Sequence, residues 1–230
     1  MDSETAVTLP ARTVGFITAW VYGNSVLDGV LWVDDTALHD FERALEIAEA
    51  SGDDNVFGSV ATSFGSSLTI RGSAWDRERR LAMLAQVRDM CLNLRFPQSE
   101  LPTLNLFIAY EWAADGDPGA ALPQMRKSVD DLFNNGQYLY AIGCTALLVE
   151  TLLNFGAEED LAEAEAAVER LAAIPGGGWV ARDIMVLRLR TLLAKVRGDE
   201  ARYRELLNRY RAQAMSLGFE GHIQWAESMP

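Results

Sequence analysis

Cysteine, lysine and histidine are all scarce in this 230-residue chain, and each shortage removes a class of function. Two cysteines, Cys91 and Cys144, are too few for a disulfide framework, which points to a reducing compartment, the cytoplasm. Only Lys127 and Lys195 are lysines, so arginine dominates the 20 basic residues, a bias that fits a high-GC bacterial source. Those 20 face 33 acidic residues, for a net charge of -13. Such a field repels phosphate backbones and anionic lipid surfaces, so neither nucleic acid nor membrane is expected as a partner. His39 and His222 are the only histidines, neither has a second at ligand spacing, and both read as surface residues. No metal and no cofactor are expected.

Long apolar runs are missing too. The stretch from Val14 to Val33 is broken by Gly15, Gly23, Asn24, Asp28 and Gly29, and the residues before it begin acidic, so it is neither a signal peptide nor a membrane span. The loop G-x-x-x-x-G-K-[ST] is absent, since neither lysine follows a glycine. Phe64-Gly65-Ser66-Ser67 is not the G-x-S-x-G nucleophile turn and has no evident base. The expectation is a chain that is not an enzyme.

What is present is a rhythm. Gly29, Gly72, Gly116, Gly156 and Gly198 follow one another at 43, 44, 40 and 42 residues. Gly52, Gly136, Gly176 and Gly218 run out of phase at 84, 40 and 42, with Phe96-Pro97 near the missing place. Two punctuation marks per period near 42 imply two helices per repeat. The predicted fold is all-α, an α-solenoid of about five antiparallel helix pairs with a short C-terminal cap. After a tail of residues 1–11 it forms one domain, 12–230, with repeats at about 12–51, 52–96, 97–136, 137–175 and 176–218 and a cap at 219–230.

Within each repeat an A helix precedes the glycine turn and a B helix follows it. Leu38, Phe41, Leu45 and Ala48 are spaced 3, 4, 3, as are Leu84, Val87, Cys91 and Leu94, then Leu122, Met125, Val129 and Leu132, then Leu161, Ala164, Val168 and Leu171. These are one-sided apolar stripes of outward-facing B helices. The A helices, at 12–30, 54–71, 99–114, 138–155 and 179–197, are more uniformly apolar, as helices packed between neighbours should be. Acidic residues at Asp34-Asp35, Asp53-Asp54, Asp76, Asp117, Glu158-Glu159-Asp160 and Asp199-Glu200 stand where helices begin and read as caps. Asp115-Gly116-Asp117 lacks the twelve-residue pattern of a calcium loop. Cys91 and Cys144 sit in apolar settings and read as buried, inert thiols. Gly176-Gly177-Gly178, with Arg182 nearby, reads as an inter-repeat connection rather than an anion site. Trp225 is expected to cover apolar surface where no repeat follows.

In AYEWAADGDPGAALPQM, Ala109 and Ala121 supply small contacts, Trp112 and Met125 bulky ones, and Gly116-Asp117 the turn; Gly65 and Gly72 repeat part of the pattern. This resembles the tetratricopeptide repeat, with a period near 42 in place of 34. The closing stretch LGFEGHIQWAESMP and the preceding YRELLNRYRAQA resemble the C-terminal helical-repeat region of large mycobacterial signalling proteins that carry a nucleotide cyclase and an ATPase domain. The resemblance implies a regulatory or scaffolding segment whose partners include cyclase or ATPase domains of the same system; the catalytic parts of that family are missing here.

Tetratricopeptide A helices line a concave groove. Ser59, Thr62, Ser66 and Thr69, spaced 3, 4, 3, follow one side of the second A helix, and the same offset places Thr103, Tyr110 and Glu150 on that groove. A competing reading has these small hydroxyl residues bonding back to the preceding helical turn while helices pack closely. The function expected is binding of a peptide or protein segment in the groove. The alternative is sensing of a small-molecule effector, and the apolar residues 12–33 offer a surface for homodimerisation.

Overall fold

The structure, a computed structural model, describes residues 21–72, 77–155 and 158–230, and no strand occurs among them. The elements are α1 (helical over 21–27), α2 (Asp35–Ser51), α3 (Asp54–Arg71), α4 (Arg77–Leu92), a 3-10 turn (Gln98–Glu100), α5 (Leu101–Ala114) and α6 (Pro118–Asn134). They continue with α7 (Tyr138–Phe155), α8 (Glu158–Ala172), α9 (Val180–Val196), α10 (Glu200–Leu217) and α11 (Glu220–Ser228). The predicted A helices at 54–71 and 138–155 coincide with α3 and α7. Helices pack on their chain neighbours, and α7 also packs on α9, the corresponding helix one repeat later. The protein is an all-α helical repeat of the solenoid type.

Helix ends follow local chemistry. The carboxylates of Asp34, Asp53, Asp117 and Asp199 accept from the backbone N–H of Ala37, of Asn55 and Val56, of Ala120 and of Arg202, capping α2, α3, α6 and α10. Asp76 lies outside the described residues, as does Gly156. The described glycines of both series occupy the left-handed region, with φ from 65° at Gly52 to 112° at Gly176. The missing place in the second series is taken by Leu94, the one non-glycine with positive φ among the described residues, at 59°. Leu94 therefore leaves the apolar stripe it was expected to finish and stands 77% exposed. Its neighbour Arg95 donates from its N–H to the Met90 carbonyl, as Phe219 after Gly218 does to Ala214, so the same cap closes both helices.

The described residues form two compact units. The first comprises 21–26 and 33–108, the second 27–32 and 109–230. In the first, Phe41 stacks on Phe64 at 5.2 Å and Tyr22 meets Phe41 edge-on. A Cβ at Gly65 would lie 2.9 Å from Leu84, so glycine there lets α3 and α4 approach closely. In the second, Ile184, Leu187, Leu206, Leu207 and Tyr210 form a core that α11 covers with Ala226, and Met229 just beyond it joins them. This is the terminal cap expected of the tail. Helix α7 is long and apolar enough to cross a membrane, with hydropathy 1.4, and 61% of that stretch is buried in the protein.

Candidate functional site

The hydroxyl row of α3 turns inward. Ser59, Ser66 and Thr69 are buried and Thr62 is half-buried. Thr62 Oγ1 donates to the Gly58 carbonyl at 2.7 Å, Ser66 Oγ to Ser63 at 3.1 Å and Thr69 Oγ1 to Gly65 at 3.1 Å. These bonds close on the helix itself, as small hydroxyl residues in helices do. Thr103 in α5 is buried, and its hydroxyl has no partner.

Tyr110 and Glu150 lie elsewhere, in the second unit, and both act on Arg188. Arg188 Nη1 donates to Glu150 Oε1 at 2.5 Å, and its guanidinium lies 4.3 Å from the centre of the Trp225 ring. Burial opposes the Arg188 charge, but Glu150 and the Tyr210 and Tyr110 hydroxyls outweigh it, so its pKa lies above the ordinary value. Tyr110, Glu150 and Arg188 belong to α5, α7 and α9, the A helices of successive repeats. The predicted offset therefore finds two members of one cluster, and one further repeat of it reaches the third.

Around Arg188 the polar network continues inward. Tyr210 Oη lies 2.8 Å from His222 Nδ1 and 3.1 Å from the His222 carbonyl, while Nε2 lies 3.1 Å from the Asp28 carbonyl. Burial, reinforced by Arg188, pushes the imidazole down to about 3. A neutral ring that faces a carbonyl at Nε2 carries its proton there, leaving Nδ1 to accept from Tyr210. Burial alone pushes the Asp28 carboxyl up to about 7, and its Oδ1 has no partner.

His222 corrects the surface reading made from sequence: it is fully buried. The cause is backbone packing. A Cβ at Gly221 would stand 2.8 Å from the Gly29 oxygen, and one at Gly29 2.4 Å from the Trp225 ring. The N–H groups of Glu220 and His222 donate to the carbonyls of Val30 and Gly29, which supplies an α11 start that lacks a side-chain cap. The sequence signal was the small-residue pair and the apolar neighbours Ile223 and Trp225. His39 is exposed, and both cysteines are buried and outside any disulfide, with the Cys91 thiol pushed up to about 11, chiefly by burial. Arg182 donates to the carbonyls of Ile174 and Gly176, which ties down the triple-glycine connection.

Two concavities among the described residues are open to solvent. One, in the first unit, has a volume of about 660 Å³ and lies among α2, α3 and α4. Ala48, Phe57 and Met90 give it apolar surface, Glu49, Asp53, Asp54 and Asp89 an acidic wall, and Arg95 pairs with Asp54 at 2.6 Å. That pairing, mainly through the hydrogen bond, holds the Asp54 carboxyl below its usual range. The other, about 270 Å³ in the second unit, lies among α6, α7 and α8. Neither was visible in the sequence, because each wall comes from a different helix. No protein-family model, curated protein or solved structure matches the chain.

Proposed function

We propose that the chain is a non-catalytic protein-interaction module, a regulatory scaffold of a bacterial signalling system in the cytoplasm, and that it receives a basic peptide segment. The observation that carries this reading is the first unit's 660 Å³ cleft, whose apolar residues sit beside four carboxylates with one arginine among them. A segment bearing arginine or lysine beside an apolar anchor matches both features: the anchor gains from burial, and the cations gain from the acidic wall and from the overall charge of -13. The tetratricopeptide resemblance supports the same class of function, and the cyclase or ATPase domains to which it points are the partners to test first.

The reading is tested with a peptide array of amphipathic basic sequences, followed by calorimetric titration of the best binder. Binding should weaken as salt is raised, and the double charge reversal Glu49→Lys with Asp89→Lys should lower affinity at least about tenfold, the effect of like charges across an interface. An array without binders, or a binder indifferent to both salt and the reversal, would reject it.

A further inference from the structure

The turns that close successive helices carry glycine for a visible reason. At Gly52, Gly72, Gly116, Gly136, Gly198 and Gly218 φ is positive, and a Cβ would meet nothing within 4 Å, so a side chain there would project into solvent. Leu94 occupies the equivalent place after α4, with φ 59° and the same cap, and it does project, with 77% of its surface exposed. A single exposed leucine needs no explanation. One held in a left-handed backbone, at a position otherwise given to glycine, is disfavoured, and no packing within the chain offsets that cost. Strain retained with no internal compensation points to a role outside the fold.

Leu94 stands at the rim of the acidic cleft. The residues on either side of it, Asn93 and Arg95, both line the cleft, as do Asp89 and Met90 one turn earlier. Both flanking side chains are fixed. Asn93 Nδ2 donates to the Asp89 carbonyl at 2.8 Å. Arg95 grips Asp54 with two bonds, Nε to Oδ2 at 2.8 Å and Nη2 to Oδ1 at 2.6 Å, which ties the turn to the start of α3. Leu94 itself lies outside the lining, and Leu92, two residues earlier, is 51% exposed. A molecule confined to the cleft leaves Leu94 in water; a chain that runs out over the rim covers it.

We infer that Leu94 is an apolar contact residue for the partner, which is an extended basic segment: its arginines or lysines lie along the acidic wall, and an apolar side chain just outside them packs on Leu94. This deepens, and rests on, the reading of the cleft as a peptide site. Charge complementarity selects the occupant, since the lining holds four carboxylates against the single Arg95. The leucine adds what charge alone lacks. Cations can shift along a row of carboxylates, whereas one side chain seated on one leucine fixes where the segment lies. The strain of the free chain is then offset by apolar burial in the complex alone.

The probe is the tightest binder among arginine- and leucine-containing peptides of about twelve residues, roughly 40 Å when extended, titrated calorimetrically against the full chain. Leu94→Gly and Leu94→Asn both suit a positive φ and remove the apolar contact. Each should weaken binding about tenfold, the effect of losing one buried apolar side chain. Leu94→Gly should at the same time raise thermal stability, so that lost binding is not lost folding. Leu94→Met, which keeps an apolar surface of similar volume, should stay within about twofold of wild type. The loss should be equal at low and high salt, unlike that caused by Glu49→Lys with Asp89→Lys. If no peptide binds the wild-type chain, the peptide reading falls and this inference with it. If a peptide binds in a salt-dependent manner, the cleft stands as the site, and the role of Leu94 is overturned by either of two results. One is a Leu94→Gly or Leu94→Asn chain that binds as tightly as wild type; the other is a Leu94→Met chain weakened as far as Leu94→Asn.

Discussion

Leu94 holds a backbone conformation that its side chain opposes. A left-handed residue other than glycine is disfavoured by about 1 to 2 kcal/mol, and with 77% of its surface in solvent Leu94 recovers little through burial. Leu94→Gly should therefore stabilise the chain by about 0.5 to 1 kcal/mol after the added freedom of the unfolded glycine is subtracted. In thermal unfolding this should appear as a rise of about 1 to 4 °C; an unchanged or lower midpoint would show that the leucine makes a contribution its exposure hides. The position was half legible. The gap of 84 between Gly52 and Gly136 marks a missing turn, and only the backbone places it at residue 94. The α3 hydroxyls were legible as a row, and their spacing left two uses open. The bonds of Thr62, Ser66 and Thr69 to their own helix show where those three hydroxyls go.

At the level of helices, the repeat is written in charge as well as in glycine. Arg71 with Asp35, Arg79 with Glu42 and Arg95 with Asp54 are 36, 37 and 41 residues apart; Arg126 with Glu163, Arg170 with Asp130 and Arg188 with Glu150 are 37, 40 and 38 apart. Each pair joins positions about one period apart, so translation along the chain brings opposite charges together. Most are exposed and worth at most about 1 kcal/mol each. Arg188 differs, because its side chain is 8% exposed and that of Glu150 24%. Removing one partner leaves a buried charge, so Glu150→Ala should lower unfolding free energy in urea by about 3 kcal/mol. The double variant with Arg188→Met should be less destabilised than Glu150→Ala alone, because no buried charge remains. Equal or additive losses would mean that the pair is not coupled.

For the molecule as a whole, a pairing of residues far apart in the chain is also sensitive to pH. The His222 ring and the Asp28 carbonyl, 194 residues apart, meet where α11 docks on residues 27–32. The Asp28 carboxyl titrates at about 7 in the folded chain against an ordinary 3.8. A carboxyl raised in this way contributes its full stability below 3.8 and loses it as pH rises through 7. His222, lowered from 6.5 to about 3, acts in the opposite sense, losing stability as pH falls from 6.5 toward 3. Between about 4 and 6.5 the two slopes cancel. Asp28→Asn removes one of them, so the stability of the variant relative to wild type should climb by about 1.4 kcal/mol per pH unit from 3.8 toward 7, to at most about 4 kcal/mol. Chemical denaturation at several pH values measures this difference directly, and a flat difference curve would show that the Asp28 carboxyl is not held neutral.

The sequence by itself determined the helices, their limits and their period, because glycine at left-handed positions, aspartate at helix starts and apolar stripes act over a few residues and need no partner. Tertiary structure alone decided which polar groups are buried. Asp28, Arg188 and His222 look like ordinary surface or packing residues in the chain, and their environments come from helices tens to nearly two hundred residues away. Burial depends on the whole set of neighbours, and no local pattern carries that information.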